Sequence, residues 1–194
     1  MDKLAREDLL SLEQYAQTRD DFRAKVMAHK KDRAVHIGSH ATLYFEDRLT
    51  IQYQIQEMLR IERIFESEGI EEELGTYNPL IPDGNNWKAT MMIEYEDVEE
   101  RKQALAQLIG IERKTWMQVD GFERVHPIAN EDLERETEDK TSAVHFMRFE
   151  LTPEMTAAIK QGAAINIGIN HKHYIHSIEP LPEHQRASLA ADIG

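Results

Sequence analysis

Three of the nine histidines fall within six residues, His171-Lys172-His173-Tyr174-Ile175-His176, directly after the alternating run Ala164-Ile165-Asn166-Ile167-Gly168-Ile169-Asn170. Alternation of period two marks a strand with one buried face, and if that strand runs on, His171 and His173 share the face of Ile165, Ile167 and Ile169. Two imidazoles on one strand face suit two ligands of one tetrahedral or octahedral ion, with His176 or a carboxylate such as Glu179 as the third. Neutral nitrogen donors favour Zn²⁺, Ni²⁺ or Fe²⁺ over Mg²⁺ or Ca²⁺. The plainer alternative is an exposed strand end with hydrogen-bonded imidazoles.

A second group depends on the fold. If Phe122 to Ile128 pairs with Thr141 to Leu151, His126 and His145 approach one end of a sheet, and His145 has the parity of Met147 and Phe149. Glu62 falls within the apolar stripe of a long helix, where a carboxylate needs an Arg or His partner or an edge position that reaches water. His126, His145 and Glu62 are therefore the second choice for a metal, and Glu57 or Glu62 the candidate for a buried base. A lone histidine on an apolar face is more often a satisfied core residue.

Other chemistries lack their parts. With no cysteine, the chain has no disulfide, thiolate metal site, cysteine-ligated iron–sulfur cluster or cysteine nucleophile. It has no Gly-x-Gly-x-x-Gly, phosphate loop, Gly-x-Ser-x-Gly or His-Glu-x-x-His either. The formal charge of −13 repels nucleic acid, and the one dense basic stretch, Arg23 to Arg33, suits the carbonyl end of a helix. The N-terminus is charged from Asp2, and no apolar run approaches the ~20 residues that span a bilayer, so the expectation is a cytoplasmic protein with no membrane.

The elements that must position these residues follow from periodicity. Asp8–Gln17 and Asp20–Lys31 read as two short helices separated by Thr18, and Ala34–Ile37 with Thr42–Phe45 as a hairpin turning at Gly38. The long helix runs from Asp47 to Glu68, stopped by Gly69, with Ile51, Ile55, Met58 and Phe65 on one stripe. Gly75 to Asn86 reads as a linker, dividing residues 1–75, a helical region, from 76–194, an α+β sandwich expected to form one compact unit with it. Beyond Trp87 come strand, helix Val98–Leu108 and strand, then strand, helix Pro153–Gln161 and strand. That β-α-β-β-α-β order is ferredoxin-like and predicts one four-stranded antiparallel sheet, with both helices on one face and the long helix packed on the unit. The charged excursion Asn130–Lys140 reads as a solvated loop, and Glu183–Ile193 as a closing helix.

Several long strings carry a resemblance: Phe45-Glu46-Asp47-Arg48-Leu49-Thr50, Tyr53-Gln54-Ile55-Gln56-Glu57-Met58-Leu59-Arg60, Tyr77-Asn78-Pro79-Leu80-Ile81-Pro82 and His145-Phe146-Met147-Arg148-Phe149-Glu150-Leu151. They are similar, over nearly the whole chain, to the bacterial family catalogued as domain of unknown function 3501. The resemblance implies no assigned catalytic residues. It implies association with rubrerythrin-like and iron–sulfur or flavin oxidoreductase proteins, hence an accessory role around peroxide or iron. The expectations are thus a metal-binding or redox accessory protein, a non-catalytic module docking an oxidoreductase, or a small-molecule enzyme with a buried carboxylate.

Overall fold

The computed structural model describes residues 2–137 and 139–194; Met1 of the charged N-terminus and Glu138 of the charged excursion lie outside the described residues. Helix α1, Leu12–Lys31, begins where the Ser11 hydroxyl accepts from the Gln14 amide and the Gln14 side chain accepts from the Ser11 amide. This reciprocal cap satisfies two amides that have no partner inside the helix. The predicted break at Thr18 does not occur. Its hydroxyl donates to the Gln14 carbonyl one turn back (3.1 Å), so a residue read as a stop is accommodated within one helix. Strands β1, Ala34–Ile37, and β2, Ala41–Phe45, form the predicted hairpin, with Gly38 at φ 72° in the turn.

Helix α2, Arg48–Glu62, is capped by Asp47, whose carboxylate accepts from the Thr50 amide. It ends earlier than the sequence predicts. Arg63 adopts a left-handed conformation (φ 57°), and helix α3, Ser67–Tyr77, folds back on α2. A helix continued to Glu68 could not do this. The reversal leaves Phe65 exposed and buries Ile70 and Leu74 against Ile51, Ile55 and Leu59, with Leu4 and Ile81 completing a small separate core. The stripe of α2 therefore packs on α3 and the N-terminal segment, not on the main core. Residues 75–77, read as linker, are the last turn of α3, and Asn78–Leu80 is a 3₁₀ turn.

The α+β expectation holds, and the single ferredoxin-like sheet does not. The remaining elements are β3 (Asn86–Ile93), α4 (Val98–Gln107), β4 (Thr115–Val119), β5 (Ile128–Ala129), β6 (Val144–Glu150), α5 (Pro153–Lys160), β7 (Ile165–His171), β8 (Tyr174–Ile178) and α6 (Glu183–Ala190). They build two antiparallel sheets, ordered β1-β2-β3-β6-β5 and β4-β7-β8. Each predicted β-α-β unit begins in the larger sheet and ends in the smaller one.

The cause is the character of α4, Val-Glu-Glu-Arg-Lys-Gln-Ala-Leu-Ala-Gln. None of its residues is buried, and such a helix cannot roof an apolar sheet face. The sheets cover each other instead. Phe45, Trp87, Met91, Met147 and Phe149 from one meet Met117, Val119, Ile165, Ile167 and Ile169 from the other in one apolar cluster, which Met155, Ile159 and Leu189 extend. Arg33, after α1, reaches Asp192 at the end of the chain (2.6 Å), tying the helical region to the sandwich. Among the described residues no helix is long and apolar enough to cross a membrane.

Candidate functional site

His171 ends β7 on the face shared by Ile165, Ile167 and Ile169, as the alternation predicts, but the strand stops there. Lys172 and His173 form the two-residue turn between the paired residues His171 and Tyr174. The Ile109 carbonyl can only accept and the His173 amide can only donate. His171 Nε2–H thus donates to Ile109 (3.1 Å), and Nδ1 accepts from the His173 amide (3.3 Å). Burial pushes its pKa below the usual imidazole value, against the opposing hydrogen bond to Ile109. A metal at Nδ1 would displace the His173 amide, and a metal at Nε2 the Ile109 carbonyl. The His173 ring lies 5.8 Å from that of His171, while His176 packs edge-on against Tyr174 at 4.6 Å.

His145 lies in the main core with the parity of Met147 and Phe149, fully buried. Its Nε2 donates to the Ser142 carbonyl (3.0 Å) and its Nδ1 accepts from the Asn130 side-chain Nδ2 (3.0 Å), so its ring is also fully used. Burial holds its pKa below the usual value, with Glu112 pulling the other way. The predicted pairing of the preceding segment with β6 is limited to Ile128 and Ala129. His126 is exposed, its Nδ1 3.0 Å from the Thr115 carbonyl, and Glu62 is exposed on the last turn of α2. Among the described residues no three His, Asp or Glu side chains form a group that could hold a metal ion. Glu57 is tied by Arg19 (2.8 and 3.0 Å), Tyr15 (2.7 Å) and Arg60, and the Arg19 hydrogen bond draws its pKa down to about 2. A carboxylate so engaged is not a base at neutral pH.

The structure instead places a cleft of about 840 Å³ on the outer face of the larger sheet, closed by the segment Thr76–Asp83 and by Lys3. Lys88 and Arg148 stand opposite each other on β3 and β6. The Lys88 side chain is only 10% exposed, and its Nζ donates to the Pro79 carbonyl (2.7 Å) and to Asp83 (2.8 Å). Asp83 also accepts from Lys3 (2.8 Å). Burial raises the Asp83 pKa, but hydrogen bonds from Lys3, Lys88 and Asn86 outweigh it and hold the group below the carboxylate range. Arg148 donates from Nε and Nη2 to Glu131 (2.9 and 2.6 Å) and from Nη1 to Glu150. Tyr77, Leu80 and Phe146 supply apolar walls.

Sequence reasoning missed this cleft because Tyr77 to Asp83 read as linker. The available signal was the parity of Lys88 and Thr90. Both are buried on the face of β3 opposite Trp87, Ala89 and Met91, so this strand is covered on both sides.

No curated protein matches the chain. A solved structure does: the crystal structure of a novel protein of unknown function from Burkholderia pseudomallei K96243. It is 52% identical, with 100% of each chain covered and a TM-score of 0.93. The model of the family described as protein of unknown function (DUF3501) matches residues 3–193, and with that span the chain belongs to this family.

Proposed function

We propose that the protein binds a small organic molecule, with an apolar body and a carboxylate or similar anionic group, in the cleft of Lys88 and Arg148. The observation that carries this is Lys88, a lysine nine-tenths buried at the floor of a cleft of ligand size, with two of its three N–H donors used within the protein. Asp83, Glu131 and Glu150 keep Lys88, Lys3 and Arg148 compensated while the free N–H groups remain available. Tyr77, Leu80 and Phe146 would receive the apolar body, and burial of that surface supplies most of the affinity. The test uses 4-phenylbutyrate as probe and its neutral amide as control, followed by ¹⁵N amide shifts. Shifts centred on Tyr77, Leu80 and Phe146 are expected, with affinity at least tenfold weaker for the amide and for Lys88→Met. Tenfold corresponds to about 1.4 kcal/mol, less than one charge-assisted hydrogen bond. Equal binding of acid and amide, or binding unaffected by Lys88→Met, would overturn the reading.

A further inference from the structure

The helical region is polarised along its length. Helices α1 and α2 lie antiparallel: His29, near the end of α1, meets Asp47 at the start of α2, and Arg19, two to three turns earlier, meets Glu57 near the end of α2. The start and end of α2 are about 22 Å apart at 1.5 Å per residue. Beside the start, the second half of α1 carries Arg23, Lys25, Lys30 and Lys31, all but Lys30 exposed. At the other end, the corner between α2 and α3 and the first turns of α3 carry Glu62, Glu66, Glu68, Glu71, Glu72 and Glu73 against Arg63 alone, all but Glu73 exposed. Among the described residues none of these charges joins an ion pair, although the same helices pair Arg19 and Arg60 with Glu57. The helix dipole accounts for Lys30 and Lys31 in the last turn of α1, but its effect fades within a turn and does not reach Arg23 or Lys25.

We infer that this helical layer is the interface of a twofold homodimer, in which the acidic corner of each copy, led by Phe65, docks on the basic end of α1 of the other. The corner also carries the largest exposed apolar side chains of the layer, Ile61 at 61% and Phe65 at 71% exposure, and Phe22, Met27 and Tyr53 are half-buried around the basic end. The corner glutamates crowd one another in space as well as in sequence: burial and then the charges of Glu62 and Glu72 push the Glu73 carboxyl above its ordinary value, and no cation is among the groups acting on it. Two patches of opposite sign at the two ends of one layer match a second copy turned end for end, and a twofold axis makes both contacts at once. The chain's net charge of −13 opposes every other approach of two copies, so the basic patch also selects the register.

The test is sedimentation velocity of the full chain, at about 50 mM and about 500 mM salt, with exposed charges reversed in pairs. Wild type is expected to sediment as a dimer at low salt and to associate at least tenfold more weakly at high salt. Lys25→Glu with Lys31→Glu, and Glu62→Lys with Glu66→Lys, are each expected to be monomeric alone, since like patches then face each other. Mixed in equal amounts they are expected to dimerise, because each reversed patch meets a reversed patch and each native patch a native one; that recovery also shows that both variants are folded. Ile61→Ser with Phe65→Ser is expected to weaken association at least tenfold at both salt concentrations. A wild-type monomer at roughly 200 µM in low salt, dimers undiminished by the reversals, or folded variants that stay monomeric when mixed would each overturn the inference. Species larger than a dimer would do so too, because a head-to-tail contact does not close on two copies.

Discussion

Arg33→Met tests whether a buried cation holds the two ends of the chain together. Arg33 is 2% exposed and donates to the carbonyls of Phe45 (2.9 Å), Glu46 (3.0 Å) and Ser188 (3.2 Å) as well as to Asp192 (2.6 Å). Its Nε also lies 3.5 Å from Asp47, which His29 meets from α1. Methionine fills similar space but leaves Asp192 and Asp47, 3% and 7% exposed, without their shared cation. Breaking a buried pair from one side costs about 3–5 kcal/mol, and at about 2–4 °C per kcal/mol for a chain of this size the melting temperature falls by roughly 6–20 °C.

The pH dependence gives this prediction a signature. Burial raises the Asp192 pKa to about 6, with Arg33 opposing it. Between roughly pH 4 and 6 the folded chain therefore keeps a proton that the unfolded chain has lost. The stabilising contribution of this group is full below that window and disappears as pH rises through it, on the order of 3 kcal/mol. Without Arg33 the folded-state pKa rises further. At pH 5 Asp192 is then neutral and needs no cation, so the deficit of Arg33→Met is expected to be smaller at pH 5 than at pH 7.5. Urea unfolding of both proteins at the two pH values measures it. An equal or larger deficit at pH 5 would refute the reasoning.

Two further outcomes follow from packing and hydrogen bonding. Gly168 sits in the middle of β7, where an added Cβ would lie 2.5 Å from Trp116 Cζ2 and 2.9 Å from the His176 carbonyl; Gly168→Ala is expected to cost about 1–3 kcal/mol, and an unchanged melting temperature would contradict it. His171→Ala removes partners from a half-buried carbonyl and an amide, so it is expected to lower stability by about 1–3 kcal/mol. Bound metal, measured on untagged protein, should not change with it; a loss of stoichiometric metal would restore His171 as a ligand.

Local pattern was the legible part. Ala143, His145, Met147, Phe149 and Leu151 share a parity in sequence, and the buried positions of β6 follow it residue by residue. Thr152 and Pro153 open α5 and Asp47 opens α2, as capping chemistry requires. What failed was partnership. A strand with one apolar face is satisfied equally by helices or by a facing sheet, and periodicity along one segment does not say which. The polar α4 did carry the answer, since it could not bury a sheet face. His171 shows the same limit at the site: alternation placed it on the correct face, but the two-residue turn after it depends on pairing with Tyr174 and leaves His173 off the strand. The parity of Lys88 and Thr90 marked the outer face of β3 but not what covers it, because the walls of the cleft come from Lys3, Tyr77, Lys88 and Phe146, which only the fold brings together.

The burial of cations in so acidic a chain sharpens the test of the proposed site. Arg33 joins the helical region to the sandwich through Asp192, and Lys88 holds the segment after α3 on the larger sheet through the Pro79 carbonyl and Asp83. Lys88→Met is therefore expected to destabilise the protein whether or not a ligand binds there, and loss of stability alone says nothing about binding. Linkage separates the two. A probe that binds the folded state stabilises it by RT ln(1 + [L]/Kd), about 2.7 kcal/mol at a hundredfold excess over Kd, which for a chain of this length is a rise of roughly 5–11 °C. Wild type should show that rise with 4-phenylbutyrate. Lys88→Met, compared with its own ligand-free melting temperature, should show little. An equal rise in both proteins would mean that Lys88 serves only as a joint and that the anionic group, if bound, sits elsewhere.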